Sequence, residues 1–284
     1  RFRQHLATLP IPGGTAMVAV SGGSDSVALL DLLLRTAESH RLDLVVIHYD
    51  HGIHPDSAVV AEGVREMAEA RGIPFHGGRG ELGPGTSETT ARHARYAFLE
   101  DVRERLGAGS ILLAHHADDQ AETILMRVLA GSGSAGLAGM DGVNGRLVRP
   151  LLPFTRSELA EYTRSGSLPV WEDPSNTDVR HLRAWIRTRV LPMLRERVPD
   201  VDSGLLSVAG QSRRNRVAWD AVLDLVPDLD VEWETDGISV AADRFRAARA
   251  FPAWAAHALR GPLAGARGSF PARWRSRLGW TAPP

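Results

Sequence analysis

No cysteine occurs in the 284 residues. Disulfides, thiolate-held zinc, iron–sulfur clusters and thiol catalysis are excluded together. Lysine is missing too, since all 33 residues of the Lys+Arg count are arginine. That closes the common phosphate loop, whose GxxxxGK[ST] pattern needs a lysine. We read the deficit itself as coding bias and draw no function from it. Nor is there an apolar run of the roughly 18 residues that a membrane span requires. No membrane partner is expected, no secretory signal is visible, and a cytoplasmic location is the expectation. What is present is 43% hydrophobic residues, enough to bury a full core in one large domain or two smaller ones.

The formal net charge of −1 hides strong patterning. Residues 180–216 hold nine arginines against Glu196, Asp200 and Asp202. Residues 217–242 hold seven acids and no arginine, and residues 243–284 hold eight arginines against Asp243. Basic blocks of this kind are candidate footprints for a polyanion. A solvated helix face balanced by the neighbouring acidic block is the competing explanation.

One stretch organises the rest: Ser21, Gly22, Gly23, Ser24, Asp25, Ser26. An apolar, β-branched run precedes it (residues 16–20), and a run with Leu30, Leu33 and Leu34 at helical spacing follows. A strand, a glycine turn and a helix N-terminus make an anion site, because the first amides of the helix converge and its dipole favours negative charge. A Ser/Gly turn that merely caps a helix has the same composition; the strand–turn–helix context favours a nucleotide. Asp25 among phosphates makes sense chiefly with a Mg²⁺ between them.

Strands are expected at 16–20, 42–48, 72–76, 110–115 and 147–152, with helices to about residue 40 and over 57–70, 87–106 and 118–130. This alternation predicts an α/β fold, a Rossmann-like parallel sheet with helices on both faces. A smaller, mainly helical C-terminal region follows, with the division set at 1–200 and 201–284. Such sheets bind ligands beyond the C-terminal ends of their strands. The polar clusters 21–26, 48–54 and 115–122 all fall at those ends, which is the physical reason to group them in one site.

His115, His116, Asp118, Asp119 and Glu122 span a strand end and the first turn of a helix. Acids three and four apart share a helix face. First-turn acids suit the dipole alone, but two histidines before them point to a metal, a positioned nucleophile or a base. His48, Asp50 and His51 form a similar knot and are candidate nucleotide contacts. Arg92 and Arg95, three apart, can offer one cationic face to phosphate, although ordinary surface helix charge, with Glu88, Glu100 and Arg103 nearby, explains them slightly better. The run from Pro169 to Asn176 reads as a rigid loop. After it, Arg180, Arg183 and Arg187 form a stripe interleaved with Trp185, a pattern that suits nucleic acid, although a Trp at such spacing is more often core.

SGGSDS, HYDHGIHPDS, TARHARYAFL, AHHADDQAETILMRVLAGSGSAGLAGM, RPLL with a later RSEL, and WEDPSNTD stand in one order along residues 16–195. Together they resemble the tRNA(Ile)-lysidine synthetases, within the PP-loop ATP pyrophosphatases. The loop alone would also fit amidating ligases acting on small molecules and the tRNA thiolases; the latter need cysteines that are absent. The resemblance implies adenylation by ATP of the wobble cytidine in a tRNA(Ile) with anticodon CAU, then attack by free L-lysine and loss of AMP. It implies catalytic roles for Asp25, Arg95, His115, Asp119, Glu122 and Arg187. It implies ATP binding by Ser21 to Ser26 with His48, Asp50 and His51, lysine binding by Asp119 and Glu122, and Mg²⁺ on Asp25 and Asp118. For tRNA it implies Arg92, Trp171, Asp173, Asn176, Arg183 and Arg187. Ala184 stands where the family usually has asparagine, so that contact is not expected here. Residues 204–284 resemble at most the helical first part of the family's further domain, which implies a shortened tRNA-binding part. A homodimer is compatible with the chain.

Overall fold

The computed structural model describes residues 1–52, 57–80, 83, 86–171, 182–224, 231–234 and 237–240. A short helix α1 (Phe2–Leu6) leads into β1 (Gly14–Ala19), α2 (Ser24–Leu34) and a one-turn α3 (Ala37–His40). Then come β2 (Leu42–Asp50), α4 (Ser57–Glu69), β3 (Phe75–Arg79), α5 (Glu88–Leu106), β4 (Ser110–Leu112) and α6 (Ala117–Leu129). After α7 (Ser134–Leu137), a hairpin of β5 (Val143–Asn144) and β6 (Leu147–Val148) precedes α8 (Arg156–Ser165). A last helical run comprises α9 (Leu182–Trp185), a π-helical segment (Ile186–Val190) and α10 (Leu191–Arg197), followed by α11 (Val201–Asp224).

The sheet order is β3-β2-β1-β4-β6-β5, parallel throughout except for β5 against β6. Side-chain parity explains why helices are needed on both faces. Ala16, Val18, Val20, Leu44, Val46 and Leu112 join one core with α2, α4 and α8. Their neighbours Met17, Val45, Ile47, Ile111 and Leu113 join another, with Leu99 and Val102 of α5. Strands buried on both faces read as continuous apolar runs, as these do. The expected α/β sheet is the one observed.

The chain leaves β1 outward to β2 and β3, then returns to the other side of β1 with β4. The β1/β4 gap is therefore the switch point, where open sheets of this kind bind ligands. The ends of these two strands carry the 21–26 loop and the paired histidines.

Local features differ from the sequence expectation: β3 is Phe75–Arg79 against the expected 72–76, and β4 ends at Leu112 against the expected 115. The 147–152 strand is only Leu147–Val148, and β5 folds back on it through a Gly145 turn at φ 59°. The helix expected to stop near Pro192 runs on to Arg197, because Pro192 lies in the first turn of α10, where no intrahelical amide is needed. α8 carries a full capping box, Thr155 with Glu158.

By compactness the chain forms two units, Arg1–Met126 with Met140–Leu206, and Arg127–Gly139 with Ser207–Pro284. The first contains the whole sheet. In the second, the described residues include α7, the end of α11 and an antiparallel hairpin, β7 (Val231–Glu234) and β8 (Gly237–Val240). The C-terminal region thus opens helical, as expected, and adds a hairpin that the sequence did not suggest. No helix among the described residues is long and apolar enough to cross a membrane.

Candidate active site

The Ser21–Ser26 loop is held open from behind. Gly22 adopts φ 95°, a conformation that side chains resist. The Ser26 hydroxyl donates to the Gly23 carbonyl at 2.9 Å and accepts the Ser21 amide at 3.1 Å. Gly23 caps α2 with no side-chain hydrogen bond of its own. The amides of Ser24 and Asp25 have no acceptor among the described residues, and so remain free for an anion at the positive end of the helix. Trp171 backs the loop: its amide donates to the Gly22 carbonyl at 2.9 Å. A Cβ on Gly22 would meet Val60 at 2.7 Å, and one on Gly63 would meet the Trp171 ring at 2.3 Å.

At the end of β2, His48 and Asp50 are buried. His48 donates from Nδ1 to the Val20 carbonyl at 2.8 Å, tying β2 to the loop. Burial lowers its pKa, against the opposing pull of that bond and of Asp50, so the ring is a neutral brace with a sealed, unpartnered Nε2. Asp50 accepts the Gly52 amide at 2.7 Å and faces Arg79 at 3.5 Å. Its carboxylate shapes the turn. His51 stacks edge-on to Tyr49, with centroids 5.0 Å apart.

Opposite, at the end of β4, the charges interlock. His116 is 1% exposed, and its Nε2 lies 3.4 Å from both Asp25 and Asp119. Burial depresses its pKa, but the Asp25 hydrogen bond and the charges of Asp119 and Asp25 outweigh this and raise it overall. Asp119 also accepts the His116 amide at 3.1 Å. Burial pushes Asp119 up, yet His116, Arg183 and His115 leave its pKa below the usual carboxylate value. Glu122 is 1% exposed. Arg187 grips it with Nε at 2.6 Å and Nη2 at 2.8 Å, and Arg183 adds Nε at 3.0 Å. Both arginines also reach Asp119, at 3.0 and 3.1 Å. Arg187 sits in the π-helical segment, a widened turn often found at functional sites.

His115 stands beside this cluster, within reach of the charge of Asp119. Its Nδ1 is sealed without a partner, and its pKa is pushed down to about 3, mainly by burial, with Arg149, Arg183 and Arg95 adding to it against Asp119. Asp118 accepts the Arg156 amide at 2.8 Å and the Arg195 guanidinium at 3.3 Å, fastening α8 and α10 to the site. Arg92 and Arg95 lie together on α5 beside Tyr96. Asp173 and Asn176 lie outside the described residues, as does Arg180.

The sequence marked both adjacent histidines and the resemblance gave a role to His115 alone, yet His116 makes the contact between Asp25 and Asp119. The sequence also read Arg183 and Arg187 as an RNA stripe, whereas both are folded onto buried acids. Their spacing signalled one shared face; only the fold reveals what that face meets. Among the described residues, no three His, Asp or Glu side chains converge as a ready-made cation site.

The PP-loop domain family matches residues 2–194. Among similar proteins, the tRNA(Ile)-lysidine synthase of Geobacter sulfurreducens is 43% identical over 208 residues, covering 70% of this chain and 44% of that protein. That of Alkalilimnicola ehrlichii is 42% identical, covering 73% and 48%, and that of Parasynechococcus marenigrum is 36% identical, covering 76% and 66%. The match thus spans about half the length of the first two relatives. Among solved structures, the U34-tRNA thiolase NcsA of Methanococcus maripaludis, with its [4Fe–4S] cluster, superimposes with TM-score 0.60 at 16% identity over 74% of this chain and 77% of that one. At that identity the likeness concerns the fold alone. The family match runs from α1 into α10 and so takes in the anion loop, the histidine pair and both arginines that hold their acids: this chain belongs to the PP-loop domain family.

Proposed function

We propose that the chain carries out ATP-dependent joining of free lysine to the wobble cytidine of a tRNA(Ile) with a CAU anticodon. The observation that carries this reading is Asp25 of the anion loop lying 3.4 Å from His116, which in turn lies 3.4 Å from Asp119 in the acid–arginine cluster. One group that handles phosphate and another that handles an amine thus meet at one switch point. The names of the relatives support the RNA substrate.

In this reading, ATP phosphates rest on the free amides at the start of α2. The cytidine ring carbonyl oxygen attacks the α-phosphate, and the bond to pyrophosphate breaks. The lysine ε-ammonium gives up a proton to water, and the free amine attacks the activated ring carbon. The carbon–oxygen bond to the adenylate breaks so that AMP leaves with its electron pair, and the second amine proton passes to solvent. Asp25 suits a Mg²⁺: its side chain is 28% exposed and forms no pair with an arginine among the described residues. Such an ion would offset charge developing on the phosphates. Asp118 suits one less, because its oxygens already hold Arg156 and Arg195. Asp119 and Glu122 select the incoming ammonium, joining or displacing the arginines they hold. His115, kept neutral mainly by burial, accepts a hydrogen bond from the amine and orients it. Residues 1–200 carry this chemistry, and residues 201–284 supply further RNA contacts.

The test is ATP–pyrophosphate exchange with and without tRNA, followed by nucleoside analysis after incubation with labelled lysine. Lysidine formation with tRNA-dependent exchange is expected. Exchange that ignores tRNA, with no label in the RNA, would sink the proposal.

A further inference from the structure

The helical run from α9 through the π-helical segment to α10 has two faces. Inward, Ile186 and Leu191 are buried, and Arg183, Arg187 and Arg195 hold acids. Outward, Leu182, Trp185, Arg189, Met193 and Arg197 follow one another a turn apart, and all five are exposed. Four-residue steps drift around an α-helix, and the wider turn of the π-helical segment offsets that drift. Leu182, Trp185 and Met193 are 48%, 43% and 59% exposed. Trp185 is therefore not a core residue, the alternative that its spacing left open. Neither Arg189 nor Arg197 forms an ion pair among the described residues, unlike the three inward arginines.

Large apolar side chains grouped on one exposed face mark a binding surface. Here they alternate with unpaired guanidinium groups, and Glu196 is the one acid in residues 182–197. That balance calls for an anionic partner. A second copy of this chain seated on the same face would set these arginines against their equals. An unpaired RNA strand satisfies both components. Its bases stack on an aromatic ring, and its phosphates take the guanidinium forks. Trp185 and Arg189 stand about 6 Å apart along the helix, so one nucleotide reaches both. Bases locked in a duplex would offer the indole no free face.

We propose that this outward face is an RNA-binding surface, with Trp185 stacking an unpaired base and Arg189 and Arg197 holding the flanking phosphates. That the RNA is the tRNA substrate rests on the function proposed above; the surface itself does not. The experiment titrates the full chain with a CAU anticodon stem–loop and, separately, with a blunt RNA duplex. Trp185→Ala should weaken stem–loop binding about tenfold with the salt slope unchanged, and Trp185→Phe should keep most of the affinity. Arg189→Gln should weaken binding and make the salt slope shallower by about one contact. Duplex binding should not respond to Trp185→Ala. These side chains are exposed, so both variants should melt at the temperature of the parent chain. Stem–loop affinity unchanged in both Trp185→Ala and Arg189→Gln would overturn the surface. A homodimer that Trp185→Ala splits, with RNA affinity intact, would give the face to a second copy and overturn it too. Lysidine made by a chain whose variants bind RNA normally sinks the surface alone; no lysidine, with RNA binding still dependent on Trp185, sinks the function alone.

Discussion

Glu122 is cut off from water, and Arg187 and Arg183 occupy both of its oxygens. At this scale the decisive quantity is the penalty for leaving a buried charge alone. Removing one member of a buried pair typically costs about 3–5 kcal/mol, whereas removing both can be nearly neutral. Glu122→Gln should therefore lower unfolding stability by about that amount in urea titration, with Arg187→Met on top recovering much of it. A loss under about 1 kcal/mol would mean that the cluster is solvated in solution. Asp119 and Glu122 were legible as a pair because three-residue spacing at a helix start puts them on one face. Their arginine partners were not, since 61 to 68 residues of chain separate the pairs. Two adjacent histidines announced a site, but not which ring would turn toward Asp25.

Between elements, the contact that matters is Trp171 lying across Gly63 of α4 and Gly22 of the anion loop. The indole fills the space that a Cβ would need, and the Trp171 amide holds the Gly22 carbonyl. The angle of the loop thus depends on a residue nearly 150 positions away. Gly63→Ala should dislodge the ring and raise the KM for ATP with little change in kcat, because no reacting atom is touched. Trp171→Leu in the same chain should restore the KM by making room. An unchanged KM in Gly63→Ala would remove Trp171 from any role in positioning the loop. The sequence read Trp171 as part of a rigid loop and the resemblance gave it to tRNA; a glycine within an amphipathic helix gave no hint of its partner. The main strands were readable because runs such as Leu42–Ile47 are apolar and β-branched. The two-residue strands of the β5/β6 hairpin were too short to leave a period, and α8, rich in charge, left little apolar pattern.

Across the whole molecule, the strand order brings the polar strand ends of β1, β2 and β4 side by side, which the sequence suggested from their common position without giving the order. Charge behaves differently. With a formal net charge of −1, the chain has no global attraction for a polyanion, so RNA must be drawn by local patches. Nine arginines between residues 180 and 216 suggest a broad RNA face. Yet Arg183, Arg187 and Arg195 are all paired with acids in the described residues. Paired arginines release no counterions when phosphate arrives unless their bridges open first. Each phosphate contact adds about 0.7 to 0.9 to the slope of log affinity against log salt. Arg187→Gln should therefore leave the salt slope of anticodon stem–loop binding unchanged. A slope shallower by about one contact in Arg187→Gln would show that the acid–arginine cluster opens on RNA and that this arginine serves phosphate after all.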